Sequence, residues 1–220
     1  MKLEKGSKLV IIGDSITDCE RRHPYGEGIF QGIGKGYVAL VDALLQLSYP
    51  ELAIRCINMG ISGNTVRDLK QRWQTDVIDL KPDWLSIMIG INDVWRHFDE
   101  PKITESHISL TEYEQTLLEL VEQAKPSLKG LVLMTPFLIE SNADDAMRKK
   151  MDEYGAAVKR IAEQEDAIFI DIQAEFNKML AYYYSGEFAA DRVHPNITGH
   201  MMIARAFLNA IGYDWSRNNG

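Results

Sequence analysis

Leu9-Val10-Ile11-Ile12-Gly13-Asp14-Ser15-Ile16-Thr17-Asp18 is the stretch around which the chain is organised. Its first four residues are apolar, a pattern typical of a strand buried in a parallel sheet. Ser15 lies where this strand ends and the chain must turn. Because reacting groups in open α/β sheets collect just beyond the carboxyl ends of the strands, Ser15 is a candidate nucleophile held by rigid elements. The alternative is that Ser15 only caps a helix, a position that serine favours.

The rest of the chain alternates short apolar runs with longer segments of helical spacing. The predicted strands are Lys8–Ile12, Ala53–Ile57, Trp84–Ile89, Leu131–Met134 and Ile168–Ile170. The predicted helices are Tyr37–Ser48, Thr65–Leu80, Thr111–Lys125, Asp145–Glu165, Ala174–Tyr184 and Thr198–Ile211. This alternation predicts an α/β fold, a three-layer α/β/α doubly wound sheet of five parallel strands in the flavodoxin-like order 2-1-3-4-5.

The composition indicates one domain and restricts its partners. The chain has 220 residues, of which 45% are hydrophobic, enough for one sizeable core, so residues 1–220 are predicted to form a single domain. The formal net charge of -8 disfavours nucleic acids and anionic membranes as partners, because both are negatively charged. A neutral or weakly charged small-molecule substrate fits this charge better.

Targeting segments and cysteine content are the sequence features that indicate the cellular compartment. The chain has no apolar stretch of about 18 residues, and residues 1–8 lack the apolar segment of a signal peptide. Its two cysteines, Cys19 and Cys56, lie far apart, which indicates ordinary thiols in a reducing compartment. We therefore expect a cytoplasmic protein with no membrane partner.

Two further turns carry groups suited to stabilise a negative oxygen. The second strand is followed by Asn58-Met59-Gly60-Ile61-Ser62-Gly63-Asn64-Thr65, whose glycines allow close backbone approach or positive φ. The backbone N–H of Gly63 is a candidate oxyanion donor, and a tight turn capped by Asn64 or Thr65 is the alternative. After the third strand, Asn92 offers two amide hydrogens, and Asp93 is a candidate cap for the following segment.

The predicted strand order places these turns side by side. With order 2-1-3, the strands that precede Gly63, Ser15 and Asn92 are adjacent in the sheet. The order reverses between the first and third strands, and ligands bind at such a switch point. We therefore expect the three groups to converge on one site.

A candidate base lies in Asp191-Arg192-Val193-His194-Pro195-Asn196. Pro195 disfavours helical conformation at His194, so this segment is predicted to be a loop before the final helix. Asp191 is close enough in sequence to orient the imidazole of His194. A serine nucleophile requires such a base, and the base requires such an orienting group. The alternative is a surface loop with an incidental histidine.

Phosphate-binding and metal-binding motifs are not supported. Gly32-Ile33-Gly34-Lys35-Gly36 resembles a phosphate-binding loop, but Ile29 stands where that motif needs glycine and Gly36 where it needs serine or threonine. We expect the Cys19–Gly36 segment to be a substrate-side loop or an oligomer contact. The remaining histidines lack the spacing of zinc ligands: His23, His97, His107 and His200, the last of which is placed on the final helix. No metal site is predicted.

Four sequence blocks together resemble the SGNH, or GDSL, hydrolases. The blocks are Gly13-Asp14-Ser15, Ser62-Gly63-Asn64, Gly90-Ile91-Asn92-Asp93 and Asp191-Arg192-Val193-His194. They occur in the order of that family and extend over nearly the whole chain, with Ile16 where the family name has leucine. Each block alone is a weak signal, whereas the combination is specific. The resemblance implies the doubly wound fold of these hydrolases.

Within that family, the chain is most similar to bacterial intracellular acetylxylan esterases. The similarity rests on residues 60–70, 86–96 and 191–195. These esterases remove acetyl groups from the hydroxyls of xylan-derived oligosaccharides. The resemblance implies an oligosaccharide ester as substrate, no metal or organic cofactor, and a homo-oligomer as large as an octamer.

The predicted function is therefore that of a serine esterase. Ser15, His194 and Asp191 form the catalytic triad, and the oxyanion hole comprises the Ser15 and Gly63 backbone N–H groups and the Asn92 side chain. Neighbouring residues are assigned to substrate binding: Asp14, Ile91 and Trp95. One alternative is the same chemistry on a lysophospholipid or a short-chain alcohol acetate. Another is a non-catalytic flavodoxin-like module for a nucleotide or phosphate, which leaves the Asp191–His194 pair unexplained.

Overall fold

The structure, a computed structural model, describes residues 1–217, and its centre is a parallel sheet of five strands in that range. The strands are β1 (Lys8–Gly13), β2 (Arg55–Gly60), β3 (Trp84–Met88), β4 (Gly130–Met134) and β5 (Ile168–Ile170). Their spatial order is β2-β1-β3-β4-β5, and every neighbouring pair is parallel. The predicted fold class and strand order are confirmed.

The α-helices of residues 1–217 form two packed groups. They are α1 (Ser15–Asp18), α2 (Tyr37–Ser48), α3 (Val66–Trp73), α4 (Ile91–Asp99), α5 (Leu110–Ala124), α6 (Ala146–Gln164), α7 (Ile172–Leu180) and α8 (Ile197–Ala210). Helices α2, α7 and α8 pack in one group, which the short α1 joins through α2, and α3, α4, α5 and α6 pack in the other. In the part of the chain that the structure describes, no helix is long and apolar enough to cross a membrane.

The sheet lies between these helical groups, which explains its composition. Every residue of β3 is buried, and β1 and β2 are buried along their whole length after the first residue. Strands covered on both faces need apolar side chains on both faces, so they appear in sequence as continuous apolar runs. For this reason, the apolar runs in the sequence identified the strands.

The second strand differs most from its prediction. It begins at Arg55 rather than Ala53, because Ala53 has φ of +48° and ends the 3-10 turn Pro50–Leu52. It extends to Gly60, which pairs with Gly13 of β1. The turn that carries Gly63 therefore begins at the same edge of the sheet as the turn that carries Ser15.

Two helices at the carboxyl edge of the sheet had no counterpart in the sequence prediction. Helix α1 begins at Ser15 and α4 at Ile91, so Ser15 and Asn92 lie in first helical turns rather than in open loops. The predicted helix 65–80 is not one continuous α-helix. Helix α3 ends at Trp73, and a π-helical turn covers Gln74–Ile78.

Candidate active site

Ser15 is held at the end of β1 by a capping aspartate. Asp14 is the N-cap residue of α1, and its Oδ1 accepts a hydrogen bond from the backbone N–H of Ile16 over 3.0 Å. Because Asp14 rather than Ser15 caps the helix, the serine hydroxyl is available for another partner. Its Oγ lies 2.8 Å from Nε2 of His194.

His194 is oriented by Asp191 through two kinds of contact. Nδ1 of His194 lies 2.6 Å from Oδ2 of Asp191. The other carboxylate oxygen, Oδ1, accepts from the backbone N–H groups of Val193 and His194 over 2.9 and 2.8 Å. Because a carboxylate only accepts, the imidazole proton belongs on Nδ1, and Nε2 can accept the proton of Ser15. As predicted, this segment is a loop that ends where α8 begins.

The two aspartates beside Ser15 and His194 differ in pKa because their environments differ. Partial burial acts to raise the pKa of Asp191, but the hydrogen bonds from His194 and Val193 outweigh it and hold that pKa below its ordinary value. Burial raises the pKa of Asp14 to about 7, against the opposing effects of the Ile16 N–H and the His194 charge. Asp191 is thus ionised at neutral pH, whereas Asp14 gains and loses its proton near that pH.

The turn after β2 needs glycine at two positions for different reasons. A Cβ on Gly60 would lie 2.1 Å from the backbone nitrogen of Asp18, so only glycine lets α1 approach β2 here. Gly63 has open space around its Cβ position, but its φ of +82° favours glycine. Between them, the N–H and Oγ of Ser62 both donate to Oδ2 of Asp18. These contacts fix the Gly63 turn to the helix that carries Ser15.

Asn92 is buried at the start of α4, with 3% of its surface exposed. Its Nδ2 donates to the backbone carbonyl of Asn64 over 2.9 Å, and its Oδ1 accepts from Nη2 of Arg96 over 3.3 Å. The second hydrogen on Nδ2 remains for another acceptor. The structure therefore brings Asn92 against the residue that follows Gly63, as the strand order predicted.

The residues assigned to substrate binding lie in different environments. The Trp95 ring is partly buried, and its centroid lies 6.1 Å from that of the His194 ring. The side chains of Asp14 and Ile91 are each 1% exposed. Of the three, Trp95 alone presents a partly exposed side chain beside the triad.

Three of the other histidines, His97, His107 and His200, make structural contacts. Nδ1 of His200 accepts from the Tyr37 N–H over 3.1 Å, Nε2 lies 3.6 Å from Cys19 Sγ, and burial lowers the pKa of His200 to about 4. The rings of His97 and His107 lie 4.5 Å apart. Within residues 1–217, no three His, Cys, Asp or Glu side chains are arranged to hold a metal ion.

The supporting roles of three residues were not predicted from the sequence: Asp18, Asn64, which was named only as an alternative helix cap, and Arg72. Asp18 holds Ser62, Asn64 receives Asn92, and Arg72 contacts Asn64. The only available signal was weak. Arg72 follows Leu69 by three residues and precedes the buried Trp73, which places it beside the apolar stripe of α3.

Comparison with known proteins gives close relatives over the full length. The family model of the GDSL-like lipase/acylhydrolase family matches residues 11–202. An acetylxylan esterase from Geobacillus stearothermophilus is 59% identical over 218 residues, which cover 99% of this chain and 100% of that protein.

Solved structures agree with this relationship. The catalytic mutant S15A of Axe2, an acetylxylan esterase from Geobacillus stearothermophilus, is 58% identical and matches with a TM-score of 0.98 over 100% of both chains. Its catalytic mutants D191A and H194A match with the same TM-score. LAE5, an α/β hydrolase from the metagenome of Lake Arreo, Spain, is 52% identical over 97% of this chain and 98% of its own, with a TM-score of 0.95. The chain therefore belongs to the GDSL-like lipase/acylhydrolase family and is a hydrolase.

Proposed function

We propose that the chain is a serine esterase that removes acetyl groups from acetylated xylo-oligosaccharides or xylan. The observation that carries the proposal is the continuous contact from Ser15 Oγ through His194 to Asp191, with distances of 2.8 and 2.6 Å. The acetylxylan esterase relatives support the substrate class. The catalytic mutants of Axe2 change a serine, an aspartate and a histidine at numbers 15, 191 and 194, where this chain has the same residue types.

Acylation begins when Ser15 Oγ attacks the carbonyl carbon of the acetyl ester. Nε2 of His194 accepts the hydroxyl proton as the new C–O bond forms and the carbonyl oxygen becomes negative. His194 then donates this proton to the departing sugar oxygen, and the acetyl group stays on Ser15. Asp191 keeps the imidazole in the required tautomer and stabilises the imidazolium.

The negative oxygen of the tetrahedral intermediate is assigned three donors. These are the backbone N–H groups of Ser15 and Gly63 and the free hydrogen on Asn92 Nδ2. Donors fixed before the reaction need no reorganisation as charge develops, and this is the main source of their effect. The bonds that hold Ser62 to Asp18 and Asn92 to Asn64 support such a fixed arrangement.

Deacylation repeats the chemistry with water as the nucleophile. His194 takes a proton from the water as it attacks the acetyl-Ser15 carbonyl, and returns the proton to Ser15 Oγ as acetate leaves. Because His194 carries the proton in both half-reactions, the proposed cycle needs neither a metal nor an organic cofactor.

Release of the free carboxylic acid, acetate or fatty acid, measured on three substrate classes tests this function. The purified protein is assayed with acetylated xylo-oligosaccharides, a lysophosphatidylcholine and a short-chain alcohol acetate, with Ser15→Ala as the control. The proposal predicts the highest kcat/KM on the acetylated xylo-oligosaccharides and none with Ser15→Ala. A higher value on the lysophospholipid would contradict the substrate assignment. Failure of a fluorophosphonate probe to label wild-type Ser15 would contradict the serine mechanism itself.

We also propose that the chain forms one domain that assembles into a homo-oligomer, as large as an octamer, in the cytoplasm. In the Cys19–Gly36 segment, the exposed fractions of Ile29 and Phe30 are 72% and 86%. Such exposure of apolar side chains is typical of contact surfaces. Unpaired Cys19 and Cys56 are compatible with a reducing compartment. Light scattering after size exclusion measures the assembly, and cell fractionation measures the compartment. A monomer, or a secreted protein, would refute the respective part.

A further inference from the structure

The guanidinium of Arg72 contacts the segments that carry the candidate oxyanion donors. Its side chain is only 12% exposed, and it lies in the last turn of α3. Nη2 donates to the backbone carbonyl of Gly13 over 3.0 Å, and Nη1 donates to the carbonyl of Met59 over 2.7 Å. The group therefore joins the carboxyl ends of β1 and β2. Nη1 also pairs with Asp76 over 2.7 Å, which balances the buried charge.

A fourth contact connects the guanidinium to the segments of the other two donors. Nε of Arg72 donates to the side-chain Oδ1 of Asn64 over 2.7 Å. The backbone carbonyl of the same Asn64 accepts from Nδ2 of Asn92 over 2.9 Å. Asn64 directly follows Gly63, so one residue connects the guanidinium to two of the three assigned donors.

The contact with Gly13 connects Arg72 to the segment of the remaining donor, the Ser15 N–H. Gly13 lies two residues before Ser15, and its carbonyl position determines where the Asp14–Ser15 turn starts. A single planar group thus touches, directly or through Asn64, each of the three segments that carry an oxyanion donor. Four contacts in a fixed fork suit arginine and not lysine, whose ammonium is a point charge on a flexible stem.

We propose that Arg72 is a positioning residue for the oxyanion hole, which sets the relative placement of the Ser15, Gly63 and Asn92 donors through Gly13 and Asn64. This inference rests on the proposed esterase function. It assigns Arg72 no contact with substrate. Arg72 therefore stabilises the transition state rather than the bound substrate, because the donors bind the carbonyl oxygen most strongly when it becomes negative.

A simple ester separates this inference from the substrate question. The rates of 4-nitrophenyl acetate hydrolysis are measured for wild type, Arg72→Met, Arg72→Lys, Asn64→Ala and the double variant Arg72→Met/Asn64→Ala. The matched control is Arg67→Met, because Arg67 is on the same helix but pairs with Glu112 of α5. If the wild type itself does not hydrolyse the ester, the proposed function fails rather than the role of Arg72.

We expect Arg72→Met to lower kcat by about 10²-fold with KM nearly unchanged, because displaced donors lose transition-state stabilisation. Its Ki for a boronic acid, which forms a tetrahedral anion on serine, should rise by a similar factor. Arg72→Lys should recover part of the loss, and Arg67→Met should keep the wild-type kcat. The double variant should be no slower than Arg72→Met, because Arg72 acts through Asn64.

Two results would overturn the inference. One is a folded Arg72→Met protein whose kcat is within about twofold of wild type. The other is a double variant whose loss equals the product of the single losses, since independent residues behave in that way. If Arg72→Met does not fold, Asn64→Ala and Arg72→Lys still decide the question. Asn64→Ala keeps the Gly13 and Met59 contacts of Arg72, so an unchanged kcat for that variant refutes positioning through Asn64. A wild-type kcat in Arg72→Lys, whose ammonium cannot make all four contacts, refutes the proposal as a whole.

Discussion

Oδ1 of Asp93 accepts a hydrogen bond from the backbone N–H of Val66 over 3.0 Å, and this bond joins the first turns of α3 and α4. The two helices follow β2 and β3, so the bond links the segment after the Gly63 turn to the segment that carries Asn92. The other oxygen, Oδ2, is buried and has no partner among the described residues. Burial raises the pKa of Asp93 to about 7, and the nearby Asp14 carboxyl adds to this.

This buried carboxyl predicts a specific pH dependence of stability. Between about pH 4 and pH 7 the folded state holds a proton on Asp93 that the unfolded state has released, so the free energy of unfolding falls as pH rises. Asp93→Asn keeps the acceptor for Val66 and cannot ionise. The difference in unfolding free energy, wild type minus Asp93→Asn, should therefore fall by up to about 1.4 kcal/mol per pH unit in this window and then level off.

Urea unfolding of both proteins at several pH values measures this difference. Asp144→Asn is the matched control, because Asp144 is exposed and should show no such trend against wild type. A wild-type minus Asp93→Asn difference that stays constant from pH 4 to pH 7 would show that Asp93 ionises as an ordinary carboxyl does.

Asn92→Ala tests the side-chain donor of the oxyanion hole. Removing one such donor costs about 10²–10³ in kcat, or roughly 2.7–4 kcal/mol, and should change KM little because the bond matters mainly in the transition state. Steady-state kinetics on 4-nitrophenyl acetate give both parameters. A normal kcat with a raised KM would mean that Asn92 binds the ground-state substrate instead.

The sheet order was predictable because each strand can be recognised from a short stretch of sequence. Strands covered on both faces are mostly apolar, so β1, β4 and β5 appear as apolar runs, and β3 as a run with only Ser86 polar. The chain connections then restrict their order. The start of β2 was predicted too early, because Ala53 is apolar yet adopts positive φ at the end of a turn.

Helix α4 was not predictable because its first turn is stabilised by distant partners. Asn92 and Asp93 are polar residues that would ordinarily indicate a loop. They are buried here because Asn92 binds the Asn64 carbonyl and Asp93 binds the Val66 N–H. The role of Arg72 was hidden for the same reason, since its acceptors on Gly13 and Met59 are backbone atoms that leave no side-chain motif.

Asp191→Asn should reduce activity less than His194→Ala. Asp191 orients the base without transferring the proton itself, so we expect losses in kcat of about 10⁴-fold for Asp191→Asn and about 10⁶-fold for His194→Ala, by analogy with triad variants of serine proteases. The backbone bonds to Oδ1 of Asp191 can persist in the asparagine variant, which limits the structural change. Wild-type kinetics in Asp191→Asn would point to another orienting group, and the double variant with Asp14→Asn would then identify it.

The last prediction concerns the acyl chain, for which acetyl esters should be preferred over butyryl and longer ones. Of the apolar residues around Asn92, Ile91 and Val94 are buried, whereas Trp95 is partly exposed and its ring lies 6.1 Å from the His194 ring. A rigid ring beside His194 is expected to exclude extra methylenes by overpacking, at a cost of about 1–3 kcal/mol, which corresponds to about 5- to 150-fold in kcat/KM.

Trp95→Ala should therefore reduce the preference for 4-nitrophenyl acetate over the butyrate and octanoate esters. The three esters are compared on wild type and Trp95→Ala, with Phe98→Ala as a control from the same helix, because Phe98 is 40% exposed. An unchanged acetate preference in Trp95→Ala would remove Trp95 from the acyl pocket. If that variant also lost rate on acetylated xylo-oligosaccharides alone, its ring would belong on the sugar side, where His194 protonates the leaving oxygen. A wild type that prefers octanoate would contradict the acetyl specificity itself.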